Sequence, residues 1–246
     1  MQNDKRSKTL GINMKKKWLY DESKHVGTNY SNSEISDDYN KQHEGFRDFR
    51  NETDDIIEKI NLNSDSVVLD FGCGTGGISL NLAPICKKVI CVDISQSMLN
   101  VLQKNADKEN IINIETHCAG FLTYEHHSQP IDAIISKVAL HHLPDFWKAI
   151  ALQKMANILK PHGKFYLFDV AFEFEPQKYE SNIDDWLQSM RKRAGNKIGD
   201  EAVSHIKDEF STFTWILEEL IRKAGFVIDS KKEESPNSFS YVCIKE

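Results

Sequence analysis

A chain of 246 residues, 40% hydrophobic and 28% charged, is long enough for one large domain with a substantial core. No apolar run approaches the roughly 18 residues of a membrane span, and the polar N-terminus lacks the apolar segment of a secretory signal, so no membrane association and a cytoplasmic location are expected. The net charge of −6 argues against a general nucleic-acid binder, whose footprint is basic.

Residues 1–32 form a polar tail, expected to be partly mobile, in which Trp18, Leu19 and Tyr20 can dock on the domain. From 33 to 60 the pattern is helical, with Phe46, Phe49, Ile56, Ile57 and Ile60 at three- and four-residue spacing. Strand and helix then alternate: strands at 66–72, 88–93, 112–119 and 131–139, with helices at 77–86 and 95–108 between the first three. Ser95 suits the N-cap of the second of these helices. Asp145 suits the cap of the next, which Pro161 and Gly163 stop near Lys160, and 164–170 is a fifth strand.

Residues 172–209 read as a helical segment inserted over the sheet edge. A helix over 211–224 turns Phe213, Trp215, Ile216, Leu217, Leu220 and Ile221 inward and stops at Gly225. Two last strands, 226–232 and 238–245, are joined by a turn at Pro236 and Asn237, too short for a parallel crossover. The rhythm predicts one α/β domain over 33–246, doubly wound around a mostly parallel seven-stranded sheet that ends in an antiparallel hairpin. A helical cap, made by the N-terminal helix (33–60) and the insertion, completes it.

The five cysteines contain no C-x-x-C pair, Cys91 and Cys243 read as buried thiols, and no further ligand stands near His126 and His127. No metal is expected. The basic clusters, one in the tail and one at Arg191, Lys192, Arg193 and Lys197, read first as solvated surface.

The chemistry begins at "VLDFGCGTGG" (68–77). Gly72, Gly74 and Gly77 fit the dinucleotide pattern G-x-G-x-x-G, while Gly72, Gly74 and Gly76 fit the shorter G-x-G-x-G. Either brings bare backbone against a nucleotide-like ligand. Asp93 ends the next strand, 21 residues after Gly72, where a carboxylate suits ribose hydroxyls, the alternative being that it merely caps the following helix. A nicotinamide-dependent oxidoreductase fits to this point. Asp70 at the mouth of the loop opposes a pyrophosphate and suits a cationic ligand, and the terminal hairpin is no further parallel repeat.

Together, "VLDFGCGTGG", "VICVDIS" and "ISKVALHHLPDFWKAIALQKMANILKPHGKFYLFD" resemble the successive motifs of class I S-adenosylmethionine-dependent methyltransferases. More narrowly they resemble the small-molecule branch that includes the ubiquinone/menaquinone and malonyl-carrier-protein methyltransferases. The resemblance implies a Rossmann-like sheet and S-adenosylmethionine as cofactor. It places Gly72, Cys73 and Gly74 against the methionine part, Asp70 toward its ammonium and Asp93 on the ribose. Ile94 and Met98 would border the adenine, and Ser136 and Lys137 would lie beside the methionine moiety. Relatives carry an acidic residue beside the adenine amine where this chain has Gly120, so backbone or Phe121 would take that contact. Tyr39 resembles the tyrosine of a lid helix. His141 and His142 follow the fourth strand on the acceptor side, where an imidazole can orient an acceptor, take its proton or simply shape the pocket. The implied acceptor is a small molecule or a carrier-bound acyl group. An RNA or protein methyltransferase is the nearest rival, without the N-P-P-Y type motif in its support.

Overall fold

In the computed structural model, residues 17–24, 26 and 47–246 are described. Residues 1–16 of the basic tail, the start of the expected lid helix, Tyr39 and Phe46 lie outside them. Helix α1 (Phe49–Ile60) is capped by Asp48, whose carboxylate accepts from the Asn51 N–H, and Asn61 ends it in the left-handed conformation (φ 55°).

The alternation follows as β1 (Val67–Phe71), α2 (Ser79–Leu82), β2 (Lys88–Asp93), α3 (Gln96–Lys108), β3 (Ile114–Cys118), β4 (Ile131–Lys137), α4 (Asp145–Ile158) and β5 (Leu159–Phe172). Helix α2 is one turn, far shorter than 77–86, because the chain bends again directly after it. Ser95 caps α3 through the Met98 N–H as expected. Asp145 does not cap α4; it is the helix's first residue, behind Pro144, and its carboxylate instead binds Lys148 and Thr212. Pro161 and Gly163 do not separate α4 from β5 by a loop. The chain passes directly into the strand, and the register against β4 shifts between the Ile131–Leu159 and Ala133–Lys164 pairs.

Beyond β5 come α5 (Tyr179–Lys207), β6 (Thr212–Phe213), α6 (Thr214–Lys223), β7 (Phe226–Ser235) and β8 (Ser238–Lys245). The sheet runs β3-β2-β1-β4-β5-β8-β7, with the two-residue β6 alongside β5, so eight strands replace the expected seven. Strands β3 to β5 pair in parallel, and β8 lies antiparallel between β5 and β7 as the hairpin demanded.

One face packs on α1, α2 and α3 through Ile56, Ile60, Leu82, Leu99 and Leu102; the other packs on α4 and α6 through Leu152, Met155, Leu217 and Ile221. With both faces covered, β1, β2 and β4 are nearly continuous apolar runs, the pattern of a fully buried parallel strand. Trp215 breaks the inward expectation for α6: it is exposed and stacks at its rim on Phe213.

Helix α5 has its own small core, in which Trp186 and Ala202 pack on Val170 and Phe172. Gly195 kinks it with a non-helical backbone (φ 87°, ψ 173°). Rather than covering a sheet edge, it folds back over the carboxyl ends of the strands, above a cavity of about 640 Å³. No described helix is long and apolar enough to cross a membrane. Among the described residues all five cysteines are free, and Cys91 and Cys243 are buried.

Candidate active site

The glycine loop chooses between its two patterns by backbone conformation. Gly72, Gly74 and Gly76 have φ of 73°, 53° and 88°, the left-handed region that favours glycine, whereas Gly77 does not. A Cβ on Gly72 would lie 2.3 Å from the Ala139 Cβ, so the loop also needs this glycine to pass the exit of β4. Gly77 instead makes room for the Phe49 ring of α1. The ligand loop is thus the shorter G-x-G-x-G.

Asp93 holds the loop in place. One carboxylate oxygen accepts from Gly74 N–H (2.9 Å) and the other from Ser95 N–H (2.8 Å), while Gly72 N–H donates to Val92 O (2.8 Å). Asp70 is buried at the end of β1 and accepts from the Ser79 hydroxyl (2.6 Å). Burial, with Asp93 nearby, pushes its pKa up to about 6 against the Ser79 bond. Burial also raises Asp93, opposed by the two backbone N–H groups. Two buried carboxylates facing one cavity are most readily ionised beside a positive ligand group, which an ammonium or sulfonium supplies and a pyrophosphate does not.

Gly72, Cys73, Gly74, Ile94, Met98, Gly120, Phe121 and Lys137 all line the same cavity as Asp70 and Asp93. Ser136 does not. Alternation along β4 buries it on the other side of the strand, where its hydroxyl has no partner among the described residues.

Glu22 answers the puzzle of Gly120. Its carboxylate sits against that glycine, where a Cβ would come within 2.5–2.8 Å of it. One oxygen accepts from Leu122 N–H, Thr123 N–H and the Thr123 hydroxyl at 2.9–3.1 Å. The N-terminal segment is pinned beside it, Trp18 stacking on Trp147 with Tyr20 against the same ring. An acidic group therefore stands in the Gly120 corner, delivered by the tail. Sequence reasoning had only the missing acid as a signal, not the residue about a hundred positions away that replaces it.

The other end of the cavity is polar but fixed by side chains. Lys137 lies 3.3 Å from Glu52 and over the Phe168 ring (3.6 Å), and burial pushes its pKa down to about 8. Val138, next in line, has φ of 54°, a strained state for a β-branched residue, and is held by its N–H donating to Phe168 O. The chain then turns through a short 3-10 helix, Leu140–His142.

His141 Nδ1 lies 2.5 Å from Asp169 Oδ1 on β5, and its Nε2 lies 3.3 Å from Glu209 Oε2 in the loop after α5. His205, in the last turn of α5, meets the same Glu209 oxygen at 2.5 Å. Burial lowers His141, but Asp169 and Glu209 outweigh it and hold the imidazole up to about 9. The His142 ring lies against His141, tilted by 46° with centroids 4.3 Å apart; burial and that neighbouring cation push it down to about 3, leaving a neutral ring. Both predicted histidines therefore face the cavity in opposite charge states. Asp169, His205 and Glu209 were missed, since nothing local in the sequence marks them.

Residues 68–163 match a methyltransferase domain family. The chain is 33% identical over 129 residues to an uncharacterized methyltransferase of Schizosaccharomyces pombe, a match covering 48% of this chain and 44% of that relative. It thus spans less than half the length of the fission-yeast protein. An uncharacterized methyltransferase of a Geobacillus species is 28% identical over 214 residues, 85% of this chain and 92% of the relative. Among solved structures, a S-adenosylmethionine-dependent methyltransferase from Clostridium acetobutylicum superposes with a TM-score of 0.64 at 16% identity, covering 86% of this chain and 98% of the other. A cyclopropane synthase from Mycobacterium tuberculosis superposes with a TM-score of 0.65 at 15% identity, covering 90% and 100%. The family match over residues 68–163 falls on the strands and loop that build the Asp70–Asp93 end of the cavity, so this segment is a methyltransferase domain.

Proposed function

We propose that the protein transfers the methyl group of S-adenosylmethionine to a small-molecule or carrier-bound acceptor held beneath α5. The observation that carries this reading is the continuity of one cavity from the glycine loop to Phe168, Val170, Trp186, Met190 and Arg193. An acceptor inside it would be wrapped by apolar side chains, which excludes water from the reacting centre.

Methyl transfer from a sulfonium is an in-line displacement from an already activated donor. The protein's share is to align the acceptor atom, the methyl carbon and the sulfur. In this reading Asp70 faces the cofactor ammonium and Asp93 the ribose hydroxyls. The adenine lies between Ile94, Met98 and Phe121, and Glu22 accepts from its exocyclic amine. Lys137, Val138 and His142 shape the wall that the acceptor meets. Of the basic segment 191–197, Arg193 lines the cavity, while Arg191 pairs with Asp200 (3.2 Å), so Arg193 is the residue available to an anionic group on the acceptor.

Calorimetric titration with S-adenosylmethionine, its demethylated product and NADH tests the cofactor, and metabolite fractions incubated with labelled methyl donor test the acceptor. Transfer of label to a low-molecular-weight or carrier-bound product is the expected result. Label confined to macromolecular RNA or to unrelated proteins would overturn the acceptor class.

A further inference from the structure

We propose that His141, His142 and Glu209 form a binding site for a divalent transition-metal ion at the acceptor end of the cavity. Their imidazole nitrogens and carboxylate oxygens all lie within 4.8 Å of one another, and all three residues line the cavity. The site rests on the methyltransferase reading only for its meaning; the cluster is present whatever the cavity binds.

The geometry is that of a ligand set. Two donors 3.3 Å apart, as His141 Nε2 and Glu209 Oε2 are, subtend about 104° at an ion roughly 2.1 Å from each, close to a tetrahedral angle. The widest spacing, 4.8 Å at most, exceeds the roughly 3.4 Å edge of such a site by about 1.4 Å, within reach of a rotation of the His142 ring. Behind the first ligand, Asp169 accepts at His141 Nδ1 (2.5 Å) and also from the His141 backbone N–H (3.0 Å), the carboxylate–histidine arrangement that fixes a ligating imidazole. His205 holds the Glu209 carboxylate from the other side. Finally, the half-buried His142 ring lies against the His141 ring and lines the cavity, with no side-chain hydrogen bond to a described residue. Its ring is therefore open to a ligand in the cavity.

Two imidazoles and one carboxylate suit zinc, iron(II) or cobalt(II) better than magnesium or calcium, which prefer oxygen ligands. Three protein ligands leave positions open toward the cavity. A hydroxyl or thiol of the acceptor fits there: bound to the cation it releases its proton to water, and its oxygen or sulfur then attacks the methyl carbon. The carbon–sulfur bond of the sulfonium breaks as the new bond forms, leaving a neutral thioether.

The test uses untagged, chelator-treated protein titrated with Zn²⁺ by calorimetry and with Co²⁺ by visible absorbance, alongside His142→Ala, Glu209→Gln and Cys118→Ser. S-adenosylmethionine titration of the same samples reads the cofactor seat, and thermal unfolding reads the fold. One equivalent of metal per chain is expected, with ligand-field absorption in the cobalt form. Affinity should fall at least about 100-fold in His142→Ala and Glu209→Gln and stay unchanged in Cys118→Ser. Asp169→Asn, one shell out, should weaken it by about 10- to 100-fold. No metal above background in wild type that binds S-adenosylmethionine, or binding that survives both His142→Ala and Glu209→Gln, overturns the proposal. Failure of S-adenosylmethionine to bind while the metal site titrates would count against the methyltransferase reading instead.

Discussion

The two ends of the cavity are fixed by different means. At the cofactor end, backbone carries the shape: three left-handed glycines, a carboxylate gripping two amides, and a β1–β2 ladder on which everything is one loop apart. At the acceptor end, charged side chains from four separate places meet: the 3-10 turn after β4, β5, the end of α5 and the loop beyond it. A backbone site tolerates little change, because each amide has one position. A side-chain site can be re-equipped residue by residue, which suits the end proposed to recognise the acceptor.

The most damaging way to break that contrast is Gly72→Ala. With φ at 73° and the new methyl group 2.3 Å from Ala139, it should lose about 2–4 kcal/mol of stability and S-adenosylmethionine binding with it, read by thermal unfolding and calorimetry. An unchanged melting temperature would mean that the loop is not the rigid element described.

Asp93→Ala comes next, removing the acceptor of two loop amides and, with it, the proposed ribose contact. Affinity for S-adenosylmethionine should drop roughly 100-fold, about 2.7 kcal/mol, whereas His142→Ala should leave it within about threefold. Equal losses in both variants would merge the two ends into one unit.

Glu22→Ala probes a part of the cofactor end that is borrowed from the tail. About a tenfold weaker binding of S-adenosylmethionine is expected, with an analogue lacking the exocyclic amine insensitive to the change.

The smallest effect is a pH dependence. Burial, helped by Asp93 and opposed by Ser79 and Arg47, pushes the Asp70 pKa up to about 6, and the cationic cofactor favours its ionised form. Affinity should therefore fall about fourfold from pH 7 to pH 5.5, and the slope should vanish in Asp70→Asn. Its folded pKa lies above the unfolded value, so its contribution to stability is full below pH 4 and lost as pH rises through 6. Asp70→Asn should thus be more stable than wild type at pH 7 by about 1–2 kcal/mol while binding the cofactor poorly. Stability falling in this variant would show that the Ser79 bond outweighs desolvation.

What was legible in the sequence follows the same division. The β1–loop–β2 segment, the Ser95 cap and the terminal hairpin were readable because each is decided within a dozen residues by glycine, proline or a short apolar run. Glu22 against Gly120 was not, since only the folded chain brings the tail to β3. Nor was the meeting of Glu209 with His141, which depends on α5 bending at Gly195 and returning to the sheet. Asp145 misled because its carboxylate, correct in type for a cap, stands one position too late and is claimed by Lys148 and Thr212. Ser136 misled because both it and Lys137 end β4, and only the pleat decides which one meets the ligand.

The antiparallel hairpin has a consequence away from the cavity. It makes β7 the outer strand of the sheet among the described residues, with a row of amides they leave unpaired that could template another sheet. Its second half reads "SKKEES", in which Lys231 pairs with Glu173 and Glu218, and Lys232 with Glu234. A second β-strand docking there would have to strip water from that ladder of charges. The hairpin that closes the fold thus also guards it against edge-to-edge aggregation, and neutralising Lys231 and Lys232 would remove that guard without touching the site.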